Sequence, residues 1–185
     1  MKVDPAVVKI FAENVRAEVI SRPALSHLDQ AMVQKIADKV KVFQGMPADV
    51  LSRTLAMADH MPFAAGEVVF KEGDIGSAFH VLIAGEVVVE KIRSGHAVEL
   101  ARLTAGECFG EMALVGNHLR SATVTALRSA ITMRFDRERV DTYPECAHII
   151  YRNIARVLSA RLDMSSELLA DMTLRHETTR PADLR

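Results

Sequence analysis

Glycine is confined to the middle of this chain, and its distribution constrains the fold more than any other feature. All nine glycines lie between Gly45 and Gly116, so both flanks lack the residue entirely. Glycine adopts positive φ angles without a steric penalty and therefore marks tight turns. A glycine-dense middle between glycine-free flanks predicts a turn-rich β unit framed by helices.

The middle of the chain alternates short apolar, β-branched runs with turn signals. The runs cover residues 68–70, 79–83, 87–89, 98–103, 122–127 and 131–135. Turns are predicted at 65–66, 73–74, 85–86, 94–95 and 105–106, where a glycine lies beside a small or polar residue. In the last run Ile131, Met133 and Phe135 alternate with Thr132 and Arg134, as in a half-buried strand. Short strands at about ten-residue spacing predict a small antiparallel barrel or roll.

Both flanks have helical periodicity. Apolar residues recur at intervals of three and four over 7–19 and 26–43, and a short helix is predicted over 47–59. From 144 to 174 there is no glycine or internal proline. The apolar stripe of this last segment is broken at Arg161 and consists of Ile150, Ile154, Val157, Met164, Leu168 and Met172.

The last helix is too long for the roll that it follows. A helix of about 30 residues is about 45 Å long, which exceeds what a small β roll can cover. We therefore expect the part beyond Arg161 to pair with a second copy of the chain. The predicted fold is α+β, an antiparallel jelly-roll-like β roll of about eight strands with N-terminal helices and a long C-terminal helix. Its expected parts are a helical segment at 1–42, the roll at 43–144, the long helix at 145–174 and a frayed tail at 175–185.

Composition narrows the function classes. The formal net charge is −1, so no global field favours nucleic acid or an anionic membrane. No apolar run approaches the ~18 residues that a membrane span needs, and the first ten residues lack the pattern of a secretory signal. The two cysteines, Cys108 and Cys146, are too few for a disulfide framework and are expected to be buried free thiols. A cytoplasmic protein is expected.

The segment from Gly106 to Leu114, followed by Arg120-Ser121-Ala122-Thr123, concentrates groups that suit a nucleotide. Gly110 permits a tight turn, and the next four residues can form one helical turn whose first N–H groups are free to bind an anion. Nine residues after Glu111, Arg120 supplies a planar set of donors that suits a phosphate. The Glu111 carboxylate can accept hydrogen bonds from sugar hydroxyls. Separately, Glu111 could simply favour a helix start and Arg120 could be an exposed ion-pair partner.

This segment resembles the phosphate-binding cassette of cyclic nucleotide-binding domains, the family found in catabolite activators and protein kinase A regulatory subunits. The matching residues are Phe109-Gly110-Glu111-Met112-Ala113-Leu114 and Arg120-Ser121-Ala122-Thr123, within a cassette at 106–123. The upstream runs 62–74 and 79–87 resemble the opening strands of the same family, and the resemblance covers about 43–162.

The resemblance implies roles for individual residues. Glu111 would hold the ribose 2′-hydroxyl and Arg120 the cyclic phosphate. The amides of Met112, Ala113 and Ala122 would add phosphate contacts, and Ser121 would reach the phosphate or the base. Serine at position 121, where cyclic GMP-selective relatives often have threonine, favours cyclic AMP, with cyclic GMP as the alternative. The remaining pocket residues are expected to be Gly110, Phe109, Val69, Val98 and Leu100.

The helix that would cover the base is where the resemblance is least complete. Many relatives place an aromatic or polar residue there, but this chain has no tryptophan and its last tyrosine is Tyr151. Arg156, Arg161, Ser165 and Ser166 are the polar candidates, of which Arg161 and Ser165 are predicted to contact the ligand. A solvated helix face is the simpler explanation for each. Only 13 residues follow Met172, too few for a helix-turn-helix domain, so direct DNA binding is not expected.

Two functions follow from these residues. The first is a regulatory sensor, without enzymatic activity, resident cofactor or metal. It would bind a cyclic nucleotide, move its helices in response and signal to an unknown protein effector. The alternative is a β-roll dimerisation or interaction module that no longer responds to nucleotide.

Overall fold

The computed structural model describes residues 36–116 and 118–178. The predicted helix at 7–19, most of the one at 26–43 and residues 179–185 of the predicted tail lie outside the described residues. Residues 36–39 are helical, and a 3-10 turn follows at Lys41–Phe43. The predicted helix to residue 43 is therefore interrupted at Val40, whose backbone is extended with φ −93° and ψ 105°.

Besides the helical residues 36–39, the described chain contains four α-helices and eight strands in a β-rich middle. The helices are α1 (Ala48–Ala56), α2 (Met112–Val115), α3 (Arg137–Asp141) and α4 (Pro144–Thr178). The strands are β1 (Asp59–Phe63), β2 (Val68–Phe70), β3 (Ala78–Ala84), β4 (Glu86–Arg93), β5 (His96–Thr104), β6 (Cys108–Phe109), β7 (Thr123–Ala126) and β8 (Ala130–Asp136).

The strands form two four-stranded antiparallel sheets. One has the order β1-β8-β3-β6 and the other β2-β7-β4-β5. The glycines at all five predicted turns, Gly66, Gly73, Gly85, Gly95 and Gly106, have φ angles between 78° and 94°. This arrangement confirms the α+β roll of about eight strands framed by helices.

Periodicity did not predict two of the strands and one helix, although the resemblance placed opening strands from residue 62 onward. Strand β1 contains Pro62, which it tolerates because β1 lies at a sheet edge, where a missing N–H costs no ladder bond. Strand β6 has two residues, and the five-residue helix α3 links β8 to α4. Neither segment is long enough to show a period in the sequence.

The predicted alternation along β8 is wrong at Thr132. This residue is fully buried beside His80, whose ring packs against Phe70 and Phe109 in the cluster between the two sheets. The Thr132 hydroxyl lies 3.0 Å from Nδ1 of His80, a hydrogen bond that satisfies both buried polar groups.

The core is divided between two clusters. The larger packs the first sheet against the helices and includes Phe43, Phe135, Ile150 and Ile154. The smaller lies between the sheets and is centred on Leu82, Val87, Phe109 and Val124. The cassette is thereby mounted on the buried face where the two sheets meet.

The long helix α4 divides into a buried and an exposed half. Ile150 and Ile154 are fully buried, whereas Leu162, Leu169 and Met172 are 66%, 64% and 67% exposed. Both cysteines are free and buried, as expected.

Candidate functional site

A cavity of about 470 Å³ lies between the cassette, strand β5 and helix α4. All but two of the predicted ligand-binding residues line it, namely Leu100, Phe109, Gly110, Glu111, Met112, Ala113, Arg120, Ser121, Ala122, Arg161 and Ser165. These residues come from four separate stretches of the chain and are brought to one concave site, which is the usual form of a small-molecule pocket.

Val69 and Val98 do not line the cavity. On β2 it is Phe70 that lines the site, while Val69 packs against the core between the sheets. On β5 a bulge opposite Val89 and Glu90 interrupts the register beside Leu100. A bulge re-aims the side chains next to it, so Leu100 lines the cavity, whereas Val98 lies further along the hairpin and outside the cavity.

Arg120 lies just before strand β7, and three contacts hold its side chain rigidly in place. Its Nη1 donates to the carbonyl oxygens of Ala78 at 2.7 Å and Gly110 at 2.8 Å. The guanidinium carbon is 4.1 Å from the centre of the Phe70 ring, which adds a cation–π contact. Arg120 is only 7% exposed and forms no ion pair within the described ranges. A buried cation with this geometry, whose Nε and Nη2 keep donors to spare, is suited to an anionic ligand.

Two glycines make room for this arginine. A methyl group built on Gly76 would overlap the guanidinium, and one built on Gly110 would lie 2.6 Å from Nη1. Gly110 also has a φ of 77°, which strains any residue with a side chain. Gly76 has no such backbone requirement, so its role follows from the contact with Arg120 alone.

Glu111 is the second buried charge in the cavity. It is 2% exposed, and its Oε1 accepts a hydrogen bond of 2.5 Å from Nη1 of Arg161. Nη2 of Arg161 donates to the carbonyl oxygen of Cys108 at 2.8 Å. The other carboxylate oxygen of Glu111, Oε2, is buried and has no hydrogen-bond partner among the described residues. An acceptor in this position favours a ligand that brings a hydroxyl donor.

Burial and neighbouring charges shift the pKa of Glu111 in opposite directions. Desolvation raises the pKa of its carboxyl above the ordinary value, and the nearby guanidinium groups of Arg161 and Arg120 oppose that rise. Arg161 belongs to α4, so the ionisation of a cassette residue depends on where that helix lies.

Aromatic rings support the Arg120 side of the cavity. The rings of His80 and Phe109 stack with centroids 5.1 Å apart, and Phe70 lies 6.0 Å from Phe109. Burial lowers the pKa of His80 to about 3, and the charges of Arg120 and Arg134 add to that effect. His80 is therefore neutral at physiological pH.

The helix side of the cavity is more apolar than the sequence suggested. Besides Arg161 and Ser165, α4 contributes Met164 and Leu168, which were expected to serve only a dimer contact. Their positions, three and seven residues after Arg161 and so on the same helix face, were the available signal. The Ser165 hydroxyl donates to the carbonyl oxygen of Arg161 at 2.9 Å within the helix.

The rest of the described chain shows few alternative catalytic or metal-binding sites. Burial raises the pKa of the Cys108 thiol to about 12, so this sulfur is a poor nucleophile. Within 36–116 and 118–178, no cluster of three or more potential metal ligands is found. Among those same residues no helix is both long and apolar enough to cross a bilayer.

Known proteins resemble the part of the chain that supplies most of the cavity-lining residues. Residues 60–143 match the family described as the cyclic nucleotide-binding domain. The β roll of this chain belongs to that family.

Three similar proteins show the range of the family. The cAMP-dependent protein kinase regulatory subunit of Schizosaccharomyces pombe is 32% identical over 159 residues, which cover 86% of this chain and 32% of that protein. The cGMP-dependent protein kinase egl-4 of Caenorhabditis elegans is 31% identical over 103 residues, covering 54% of this chain and 13% of that kinase. The crystal structure of the Thermus thermophilus catabolite activator protein aligns with a TM-score of 0.66 and 25% identity, covering 72% of this chain and 63% of that one. The chain thus spans about a third or less of the two kinase-related proteins.

Proposed function

We propose that this chain is a cyclic nucleotide sensor that prefers cyclic AMP to cyclic GMP and transmits binding to an effector protein through helix α4. It would act in the cytoplasm as a regulator without enzymatic activity. The observation that carries the proposal is the presence of Arg120 and Glu111, both almost fully buried, in one cavity.

The two charges match the two polar parts of a cyclic nucleotide. The guanidinium of Arg120 has no carboxylate partner within the described ranges, and a cyclic phosphate would supply the missing charge. The orphaned Oε2 of Glu111 can accept a hydrogen bond from the ribose 2′-hydroxyl. A nucleotide would thus satisfy both groups at once, which neither a sugar nor an inorganic anion alone would do.

The preference for cyclic AMP rests on the residues around the base. Ser121 stands where threonine would favour cyclic GMP, and its hydroxyl already donates to Sδ of Met112 at 3.2 Å. Leu100, Met164 and Leu168 give the cavity apolar walls. Guanine carries more exocyclic polar groups than adenine, and each would lose water without gaining a partner against such walls.

The Arg161–Glu111 ion pair supports signalling through α4. A nucleotide that occupies Oε2 of Glu111 changes the environment of the carboxylate that pairs with Arg161 of α4. Binding therefore shifts the position of the helix to the extent that the nucleotide prefers one position over another.

We further propose that α4 forms a homodimer. Leu162 and Leu169 are seven residues apart, lie on one face and do not line the cavity. Their exposure along a helix of 35 residues is typical of a two-stranded coiled coil. Replacing both with glutamate should convert a dimer to a monomer in analytical ultracentrifugation, and a wild-type monomer at the same concentration would refute the dimer.

Thermal unfolding with and without nucleotide tests the sensor proposal. Cyclic AMP at 100 times its dissociation constant should stabilise the protein by about 2.7 kcal/mol. Arg120→Ala should lose the shift, whereas the matched control Arg128→Ala, which removes an exposed arginine outside the cavity, should keep it. The absence of any shift in the wild type would favour the interaction module instead.

A further inference from the structure

A second cavity of about 290 Å³ lies beside the first and shares residues with it. The shared residues are Glu107, Arg161 and Met164. The remaining wall comes from Lys41 at the start of the 3-10 turn, Gln44 just after it, Cys108 of β6 and the middle of α4. Arg161 thus lies at the boundary between the two cavities.

The charges around this second cavity are mainly positive. Lys41, Arg156 and Arg161 line it, against the single carboxylate of Glu107. That carboxylate is engaged by its own turn, because its Oε2 accepts hydrogen bonds from the backbone N–H of Thr104 at 2.8 Å and from the Thr104 hydroxyl at 3.2 Å. Within the described ranges, neither Lys41 nor Arg156 forms an ion pair with a carboxylate. A concave site with this excess of cations attracts an anion.

A buried asparagine fixes the wall between these cations. Asn153 is 2% exposed, and its amide nitrogen donates to the carbonyl oxygens of Val42 at 3.1 Å and Gln44 at 2.8 Å. Its Oδ1 accepts a hydrogen bond of 3.3 Å from Nη1 of Arg156. The 3-10 turn and α4 are therefore joined, and Arg156 is oriented by a neutral group that leaves its charge available.

We infer that the second cavity binds a small anion bearing a phosphate or carboxylate group, held by Lys41, Arg156 and Arg161. The anion competes with Glu111 for the guanidinium of Arg161. Loss of that partner leaves the Glu111 carboxylate buried without a counter-charge, which favours its protonation and weakens the nucleotide site. The competition rests on the proposed function, whereas the anion site itself does not.

Calorimetric titration with inorganic phosphate and, separately, with citrate tests the site at constant pH and at an ionic strength fixed with chloride. We expect saturable binding of one anion per chain. The double variant Lys41→Gln/Arg156→Gln should weaken it by about tenfold or more. The charge-matched control Lys91→Gln/Arg152→Gln, whose residues line neither cavity, should leave it unchanged. The tighter of the two probes identifies the preferred anionic group.

Two results would overturn the site. One is the absence of saturable heat with either anion in the wild type, and the other is equal weakening in both double variants, which would mean a general effect of net charge.

The competition has its own readout. Cyclic AMP should bind about threefold or more weakly in the saturating anion, and by linkage the nucleotide should weaken the anion equally. Unchanged nucleotide affinity would refute the competition, while failure of nucleotide binding in chloride alone would refute the proposed function and leave the anion titration intact.

Discussion

The two buried charges of the nucleotide cavity are held in different ways. Arg120 is fixed by two carbonyl oxygens and an aromatic ring, all from the β roll and its cassette. Glu111 is fixed by Arg161, which comes from the long helix fifty residues further along the chain. Arg120 is therefore part of a rigid scaffold, whereas Glu111 depends on an element that extends beyond the roll.

This difference indicates that the phosphate-binding and sugar-binding parts of the cavity have different roles. A preformed phosphate site gives affinity without a cost of reorganisation. A sugar site whose carboxylate is tied to a helix gives the ligand a means of acting on that helix, because only differential contacts shift a conformational equilibrium. The following predictions test this difference in roles, in order of decreasing expected effect.

Replacing Arg120 should have the largest effect on nucleotide binding. Arg120→Ala leaves a buried phosphate without its cation and should cost about 2–5 kcal/mol of affinity for cyclic AMP. Calorimetry of this variant beside Arg128→Ala measures the effect. Near-normal affinity in Arg120→Ala would remove the basis of the phosphate assignment.

Replacing Glu111 should weaken binding less and should not weaken the fold. Glu111→Gln loses a charged acceptor for the ribose hydroxyl, which is worth about 1.5–3 kcal/mol. The unliganded variant should be at least as stable as the wild type near neutral pH, because the native carboxylate is buried with an unpaired oxygen. Urea unfolding and nucleotide titration of the same sample separate the two effects, and a large loss of stability would contradict this account of the glutamate.

The two sides of the cavity should respond oppositely to acid. The pKa of His80 is about 3 in the folded protein, below its usual value, so the unfolded chain binds more protons and the free energy of unfolding falls as pH drops from about 6.5 toward 3. The pKa of Glu111 is raised by burial, so the folded chain binds more protons and this group favours folding as pH falls toward its usual value. Each slope is at most about 1.4 kcal/mol per pH unit.

Unfolding curves between pH 7.5 and 4 can resolve these contributions. His80→Gln should flatten the loss of stability in acid, whereas Glu111→Gln should steepen it. If both variants changed the slope in the same direction, the assignment of opposite protonation changes would be wrong.

Arg161 should affect coupling more than affinity. Arg161→Gln should change the dissociation constant of cyclic AMP by only about threefold, because this side chain is partly exposed and its ion pair is screened by solvent. It should, however, abolish the nucleotide-induced change in hydrogen exchange over residues 158–172. The control Arg152→Gln, on the same helix and outside the cavity, should preserve that change. An unaltered exchange response in Arg161→Gln would mean that the helix receives the signal by another route.

The local parts of the fold and the site could be predicted from sequence. The turns at Gly66, Gly73 and Gly85 follow from backbone rules that act over a few residues. The cassette could be recognised because Gly110 and Glu111 lie at a fixed short distance from Arg120. Each of these inferences needed only residues that are close in the chain.

The parts that were missed depend on tertiary packing. The bulge that separates Leu100 from Val98 is set by pairing with β4, and neither residue signals it alone. Gly76 matters because it lies against Arg120. Arg161, which is predicted to contact the ligand, lines the cavity and also pairs with Glu111, a contact that the sequence did not indicate. Such contacts join residues far apart in sequence, so no local sequence pattern predicts them.

The central claim is that this cavity binds a cyclic nucleotide, and calorimetric titration of the wild-type protein with cyclic AMP and with cyclic GMP tests it most directly. Mass spectrometry should first show that the purified protein carries no nucleotide. The account predicts binding of cyclic AMP with a dissociation constant of about 1 μM or lower, equivalent to about −8 kcal/mol or better, and weaker binding of cyclic GMP. No heat with either nucleotide, from protein shown to be free of ligand, would contradict it.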